Sequence, residues 1–325
     1  QTPPQYPPAK GCRFVAVDSL EFLDAPNEYY IDPQDGTLYF LPAAPLSAAS
    51  RVVVSRLISV VDSVSTAGVT FDSLTISDAR GDVVRGHNAI AMRVVNATVS
   101  NGGGACIAID GVNSSVRGSS VFGCGSRGIS IACGDVATLT RGGCEIVGND
   151  ITRVSRITRT YTPGVGFSGV GHYIANNSVS DAPHTAMQGS CNDCMFEHNT
   201  VTHACYECTD TGAFYVGRSW SQRGNVARYN TFKTIRPTER LAQKSCSQNA
   251  FYLDDQMSGW EFYGNTIINA TTGVLLGGGR RNKIYDNFFL NNDNDVHFDA
   301  RGLSWQTDYC AANCSGGRTP KGETN

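Results

Sequence analysis

Three carboxylates and a set of aromatic side chains are the residues of this sequence best suited to do chemistry. Asp210 stands just ahead of the alternating segment Ala213 to Arg218, and Asp254 and Asp255 end the segment Ala250 to Asp255. Cleavage of a glycosidic bond needs two carboxyl groups, one as acid and one as base or nucleophile. If the two segments are strands on neighbouring coils, their ends lie one or two strand spacings apart, roughly 5–10 Å. That range covers both retaining and inverting geometries. Asp210 with Asp254 or Asp255 is therefore the candidate catalytic set. The required proton needs a raised pKa, which Asp254 beside Asp255 would supply only if the strand bends there, because adjacent strand residues point apart. Tyr215, Tyr252 and His297 recur at equivalent positions, with Gln188 below them. His184, Arg218 and Asp299 stand at segment ends, and together these seven form the candidate substrate-binding set. Aromatic faces suit the C–H surface of a sugar, and the polar groups suit its hydroxyls. The competing reading is structural: the acids cap turns or pair with Arg218, Arg280 and Arg301. A lyase would instead use a base with a cation to neutralise a uronate, for which His184 and Arg218 are the pair.

The metal-ligating residue types are numerous but poorly arranged. The chain has 12 cysteines, with Cys191/Cys194, Cys205/Cys208 and Cys310/Cys314 close in sequence. The first four have the spacing of a zinc knuckle. Sequons at Asn96, Asn113, Asn176, Asn269 and Asn313, with an even cysteine count, favour an oxidising compartment and disulfides. Cys310–Cys314 and one of the Cys-x-x-Cys units are the expected local bridges. His87, His172, His198 and His203 are scattered. No metal or other cofactor is expected; the oxygen-rich turn Asn291 to Asp295 is the place for calcium, but it lacks the EF-hand spacing. Gly277 to Gly279 is not a phosphate loop, because no Lys-Ser/Thr follows.

These side chains need a scaffold, and a repeat supplies it. Asn followed by a polar and then a β-branched or aromatic residue recurs at Asn149, Asn177, Asn199, Asn230 and Asn265, and Asn287 begins a related phrase. The spacing of 22 to 35 residues is that of a solenoid. Between the anchors lie short alternating segments bounded by Gly, Asn or Asp. They place Met187, Phe214, Phe251, Val274 and Val296 inward, then Gly189, Val216, Leu253, Leu276 and Phe298. No sustained 3.6-residue period and no Leu/Asn consensus is present, which excludes helical and leucine-rich repeats. The expected fold is all-β, a single-stranded right-handed parallel β-helix of the pectate-lyase-like type. Residues 1–27 read as a Pro-rich arm, 28–305 as the β-helix, and 306–325 as a disulfide-containing tail.

Four stretches carry a family resemblance: Tyr29 to Pro33 with Gly36 to Phe40 and Pro42; Asp210 to Tyr215 with Gly217-Arg218, Trp220 and Arg223 to Asn225; Phe251 to Asp255 with Gly259-Trp260; and Gly277 to Asn282 leading to Asp299 to Gly302. In these the chain resembles the right-handed β-helix domains of secreted carbohydrate-active proteins, including a glycoside hydrolase family with fucosidase and xylanase members. The resemblance implies the fold and a glycan partner, and with the coil geometry it implies catalytic roles for Asp210, Asp254 and Asp255. Such enzymes usually carry more chain ahead of the leading segment. Net charge is −3 with no basic block, which excludes a nucleic-acid partner. No apolar run is long enough to span a membrane. The reading is thus a secreted, extracellular, glycoside hydrolase-like protein. The alternatives are a non-catalytic scaffold (a cell-wall, adhesion or filament subunit associating end to end through unpaired strand edges) and a polysaccharide lyase.

Overall fold

The structure, a computed structural model, describes residues 17–238, 247–299 and 301. The expected Cys310–Cys314 bridge, the Asn313 sequon and the tail 306–325 lie outside these residues. The chain divides into two compact units, 1–53 and 54–325. In the first, Tyr29–Ile31 and Leu38–Phe40 pair antiparallel. Asp32 closes their turn: its carboxylate accepts the N–H of Gln34 and its carbonyl accepts the N–H of Gly36, both at 2.8 Å. Gly36 has φ 77°, a conformation costly for other residues. The leading segment of the sequence is thus a hairpin. The parallel strands begin later than residue 28, at Val61–Val64.

The second unit is a right-handed parallel β-helix. Each coil contributes a strand to each of three sheets in turn. The first sheet runs from Val61–Val64 to Asn294–Phe298, the second from Thr70–Asp72 to Lys283–Tyr285, and the third from Thr75–Ala79 to Phe288–Leu290. Alternation drives this arrangement: in Ile129–Asp135, Ile129, Ile131 and Cys133 are buried while Ser130 and Ala132 face out. The expected interior column is in register, Met187 to Phe214 to Phe251 to Val274 to Val296. The first four are at most 1% exposed. Phe214 and Phe251 rings are 4.8 Å apart, and Phe251 stacks on Phe262 at 4.0 Å. Burial of each such side chain contributes about 1.5–3 kcal/mol. Val296 departs from the expected burial, at 38% exposed. It lies on the last described strand, whose outer edge no described strand covers.

The recurrent asparagines form a buried ladder at the turn from the second to the third sheet. Each side-chain amide of Asn149, Asn177, Asn199, Asn230 and Asn265 donates to the carbonyl oxygen of the next asparagine side chain, at 2.9–3.0 Å. The amide also donates to a main-chain carbonyl, as from Asn177 to Ile146 at 2.9 Å. The left-handed residue of this turn is the one before the ladder: Asn176, His198, Tyr229, Gly264 and Asp286 have φ between 52° and 64°. The ladder therefore serves hydrogen bonding, and its neighbour supplies the bend.

Two disulfides lie in the core, Cys106–Cys124 and Cys133–Cys144. Neither Cys-x-x-Cys unit is bridged where a local disulfide was expected. Cys191 and Cys194 are separate buried thiols. Cys205 is likewise a buried thiol, and Cys208, half-buried three residues on, is not disulfide-bonded to it. The physical reason lies in the turn between them and the next strand. Cys205 points into the core, where its sulfur meets the Thr211 hydroxyl at 3.8 Å. The segment carrying Cys208 is instead held from the neighbouring coil, by Gln248 donating to the Cys208 carbonyl at 2.6 Å.

Candidate functional site

The outward column of the first sheet is in register as expected: Gln188, Tyr215, Tyr252, Leu275 and His297. Its members differ in access. Gln188 and Tyr215 are half-buried, His297 is exposed, and Tyr252 is only 2% exposed. Tyr252 therefore offers no open face to a sugar. Its ring meets that of Tyr215 edge-on at 5.3 Å, and its hydroxyl links charged groups instead.

Those groups form one network at the strand ends. The Tyr252 hydroxyl donates to Asp210 at 3.1 Å and accepts from Arg301 at 3.0 Å. Arg301 pairs with Asp254, with Asp255 at 2.9 Å and with Asp299 at 2.7 Å. Tyr215 donates to Asp254 at 2.7 Å, and Arg218 pairs with Asp255 at 2.9 Å. The bend that the adjacent acids require is present. Asp255 has φ 38° and its N–H donates to the Asp254 carboxylate at 2.9 Å, so one guanidinium reaches both acids. Burial, and then the Asp254 charge, push the hydroxyls of Tyr215 and Tyr252 well above the ordinary tyrosine range. Burial opposes the charge of Arg301, but hydrogen bonds to Tyr252, Asp299 and Asp254 outweigh it and hold the guanidinium protonated. Arg218 and Arg301 thus act as the counter-ions of the competing structural reading, whereas Arg280 lies over the Trp220 ring at 5.1 Å. Asp210 is exposed and has no cationic partner among the described residues.

His184 and Arg218 are not brought together. His184 packs against Tyr161 at 4.7 Å and meets the Thr211 hydroxyl at 3.4 Å. Burial lowers its pKa to about 4, too weak a base for proton abstraction from a uronate at neutral pH. Gln188 accepts from Thr185 at 3.0 Å. Asn96, Asn113 and Asn176 are exposed turn residues with positive φ, and Asn269 accepts from Arg236 at 2.6 Å. Sequence reasoning missed both core disulfides: Cys106 and Cys124 stand at the two ends of one coil, and Cys133 and Cys144 flank the excursion between the first- and second-sheet strands of the next, so neither pair is close in sequence.

A family model described as "Periplasmic copper-binding protein (NosD)" matches residues 62–322. No curated protein and no solved structure matches the chain. The family match is to these proteins and not to the glycoside hydrolase-like β-helices named above. Its description also overturns the expectation that no metal cofactor is involved, and it names copper where calcium was the alternative. Copper sites draw on thiolate, thioether and imidazole ligands. Among the described residues no group of three or more His, Cys, Asp or Glu could hold a metal ion, so the zinc-knuckle set of Cys191, Cys194, Cys205 and Cys208 does not assemble either. Cys191 and Cys194 are neighbouring soft donors, but burial and then Cys194 itself keep the Cys191 thiol protonated, which opposes metal binding. The described residues therefore do not fit a copper centre. No helix among them is long and apolar enough to cross a membrane, and the family's periplasmic description agrees with an exported protein. With the match extending over most of its length, the chain belongs to the NosD family of periplasmic copper-binding proteins.

Proposed function

We propose that this exported β-helix binds a glycan at the strand ends of its first sheet and hydrolyses it with Asp210 and Asp254. One observation carries the reading: Asp210, Tyr252, Arg301 and Asp254 form a continuous hydrogen-bonded chain. Three links of that kind keep the two carboxylates within about 10 Å of each other. Asp254, held by Arg301 and Tyr215, suits the ionised partner that stabilises an oxocarbenium-like transition state. Asp210, exposed and with no cationic partner among the described residues, is the second carboxyl group of the proposed pair. Asp255 orients Arg218 and Arg301, while Gln188, Tyr215, His297 and Asp299 border the bound sugar. The test is a polysaccharide panel of plant, algal and microbial origin, scored for new reducing ends. Product from one glycan that disappears in Asp210→Asn and Asp254→Asn supports hydrolysis; product that survives both substitutions overturns it.

A second reading, a non-catalytic scaffold, is favoured by the saturation of Asp254. Its side chain is 11% exposed and already paired, as expected of a structural ion cluster. Scaffold function would use the outer edge of Asn294–Phe298, which no described strand covers, for end-to-end association. Sedimentation over a hundredfold concentration range separates the readings: a scaffold forms linear oligomers and releases no product from any glycan.

A further inference from the structure

A second group of side chains borders the same strand ends but takes no part in the acid network. Where the first sheet turns into the second, a cleft of about 360 Å³ is lined by Trp220, Arg223, Glu261, Arg280, Arg281 and Lys283. Its size falls in the range of small-molecule sites, about 300–1,000 Å³. Four cations face one carboxylate. Lys283 lies 3.8 Å from Glu261, which leaves the three arginines. Each is exposed, and none has a carboxylate partner among the described residues. Arg280 and Arg281 are adjacent on one coil and Arg223 comes from another, in a chain whose net charge is −3, so their convergence is local.

The scaffold holds them in place. The Arg280 main-chain N–H donates to the Ser258 hydroxyl at 3.0 Å, and its carbonyl accepts the Gly259 N–H at 3.1 Å. Its guanidinium covers one part of the half-buried Trp220 ring at 5.1 Å. Uncompensated like charges around a concave surface repel one another and raise the local concentration of anions. Guanidinium groups match carboxylate and sulfate oxygens in a planar, two-point fashion. An indole beside them adds an apolar surface for a sugar ring.

We infer that this cleft is a subsite for the acidic group of an anionic glycan, a uronate carboxylate or a sulfate ester, next to the Asp254 network. The inference rests on the glycan-binding part of the reading above but not on cleavage. It makes the ligand a charged polysaccharide, with the arginines setting its register along the strand ends.

Binding is measured by titration calorimetry and Trp fluorescence with three probes of matched length: an oligogalacturonate, a sulfated galactan oligosaccharide and a neutral galactan oligosaccharide. One of the two anionic probes should bind at least tenfold more tightly than the neutral one, with affinity falling as salt rises. The triple variant Arg223→Gln, Arg280→Gln, Arg281→Gln should lose at least tenfold in affinity while keeping its circular dichroism and unfolding midpoint. Arg153→Gln with Arg156→Gln, in a separate cleft beside Phe122 and Tyr206, should change nothing. Asp254→Asn should abolish turnover and retain binding. Equal affinity for all three probes, or undiminished binding by the folded triple variant, overturns the inference. Tight anionic binding without turnover leaves the subsite standing and removes hydrolysis alone.

Discussion

Lowering the pH should destabilise this fold through His184. Its imidazole is 4% exposed, and burial lowers its pKa from 6.5 to about 4. The unfolded chain binds the proton near pH 6.5, whereas the folded chain resists it until about pH 4. Between those values the unfolded state holds more protons, so stability falls as pH falls. The contribution is fully present above pH 6.5 and is lost progressively down to about pH 4. At about 1.4 kcal/mol per pH unit, the full loss is about 3 kcal/mol. The assay is urea unfolding at intervals from pH 8 to pH 4, comparing the wild type with His184→Gln. Glutamine retains a polar group but cannot take up the proton. The variant should lose about 3 kcal/mol less than the wild type over that interval. His172, also lowered by burial, acts in the same direction in both proteins and cancels in the comparison. Parallel stability curves would refute a buried neutral His184.

Three further outcomes follow from the packing and the cysteines. Arg301→Ala leaves Asp254 and Asp255 buried without their shared cation, and should cost about 3–5 kcal/mol in chemical unfolding. Phe251→Ala empties the centre of the aromatic column, where it meets Phe214, Trp260 and Phe262, and should cost about 3–5 kcal/mol. Cys191 and Cys194 occupy, two coils on, the register of the bridged Cys133 and Cys144. The main-chain N–H groups of Ser114 and His172 meet Cys144 and Cys194 sulfur atoms alike at 3.4 Å. Protein from an oxidising compartment should therefore carry, beside the two bridges among the described residues, another at Cys191–Cys194. Mass spectrometry after alkylation without reduction should find both cysteines unlabelled, and labelling of both would contradict the bridge.

The coil register was legible because a strand's side-chain period is two and a one-residue slip would turn every apolar residue outward. Phe214, Phe251 and Val274 therefore fell where their alternation put them. The ladder asparagines were legible by their recurrence, although the left-handed bend belongs to the residue before them. Burial of Val296 was not legible, since alternation gives the face of a strand but not which strand ends a stack. Tyr252 shares its column with exposed His297, yet Arg301 covers it, and that contact depends on a turn after the last described strand. The core disulfides and the arginine cleft escaped because both depend on how the coils fold: Cys106 and Cys124 meet when one coil closes, and Arg223 lines the same cleft as Arg280 only because coils stack. Closeness in sequence also made one of the two Cys-x-x-Cys units an expected local bridge, whereas the structure holds Cys191 and Cys194 as thiols and does not join Cys205 to Cys208. Periodicity fixes the order of rungs, while the turns between them decide which long side chains meet.

The most direct measurement of the proposed chemistry is the initial rate of reducing-end release from the glycan that binds most tightly, for the wild type, Asp210→Asn and Asp254→Asn at equal folded concentration. General acid catalysis contributes about 10²–10⁴-fold, so each substitution should lower the rate by at least a hundredfold while leaving affinity within a few-fold. Unchanged rates in both variants, or no release by the wild type from a glycan it binds, would contradict hydrolysis by Asp210 and Asp254.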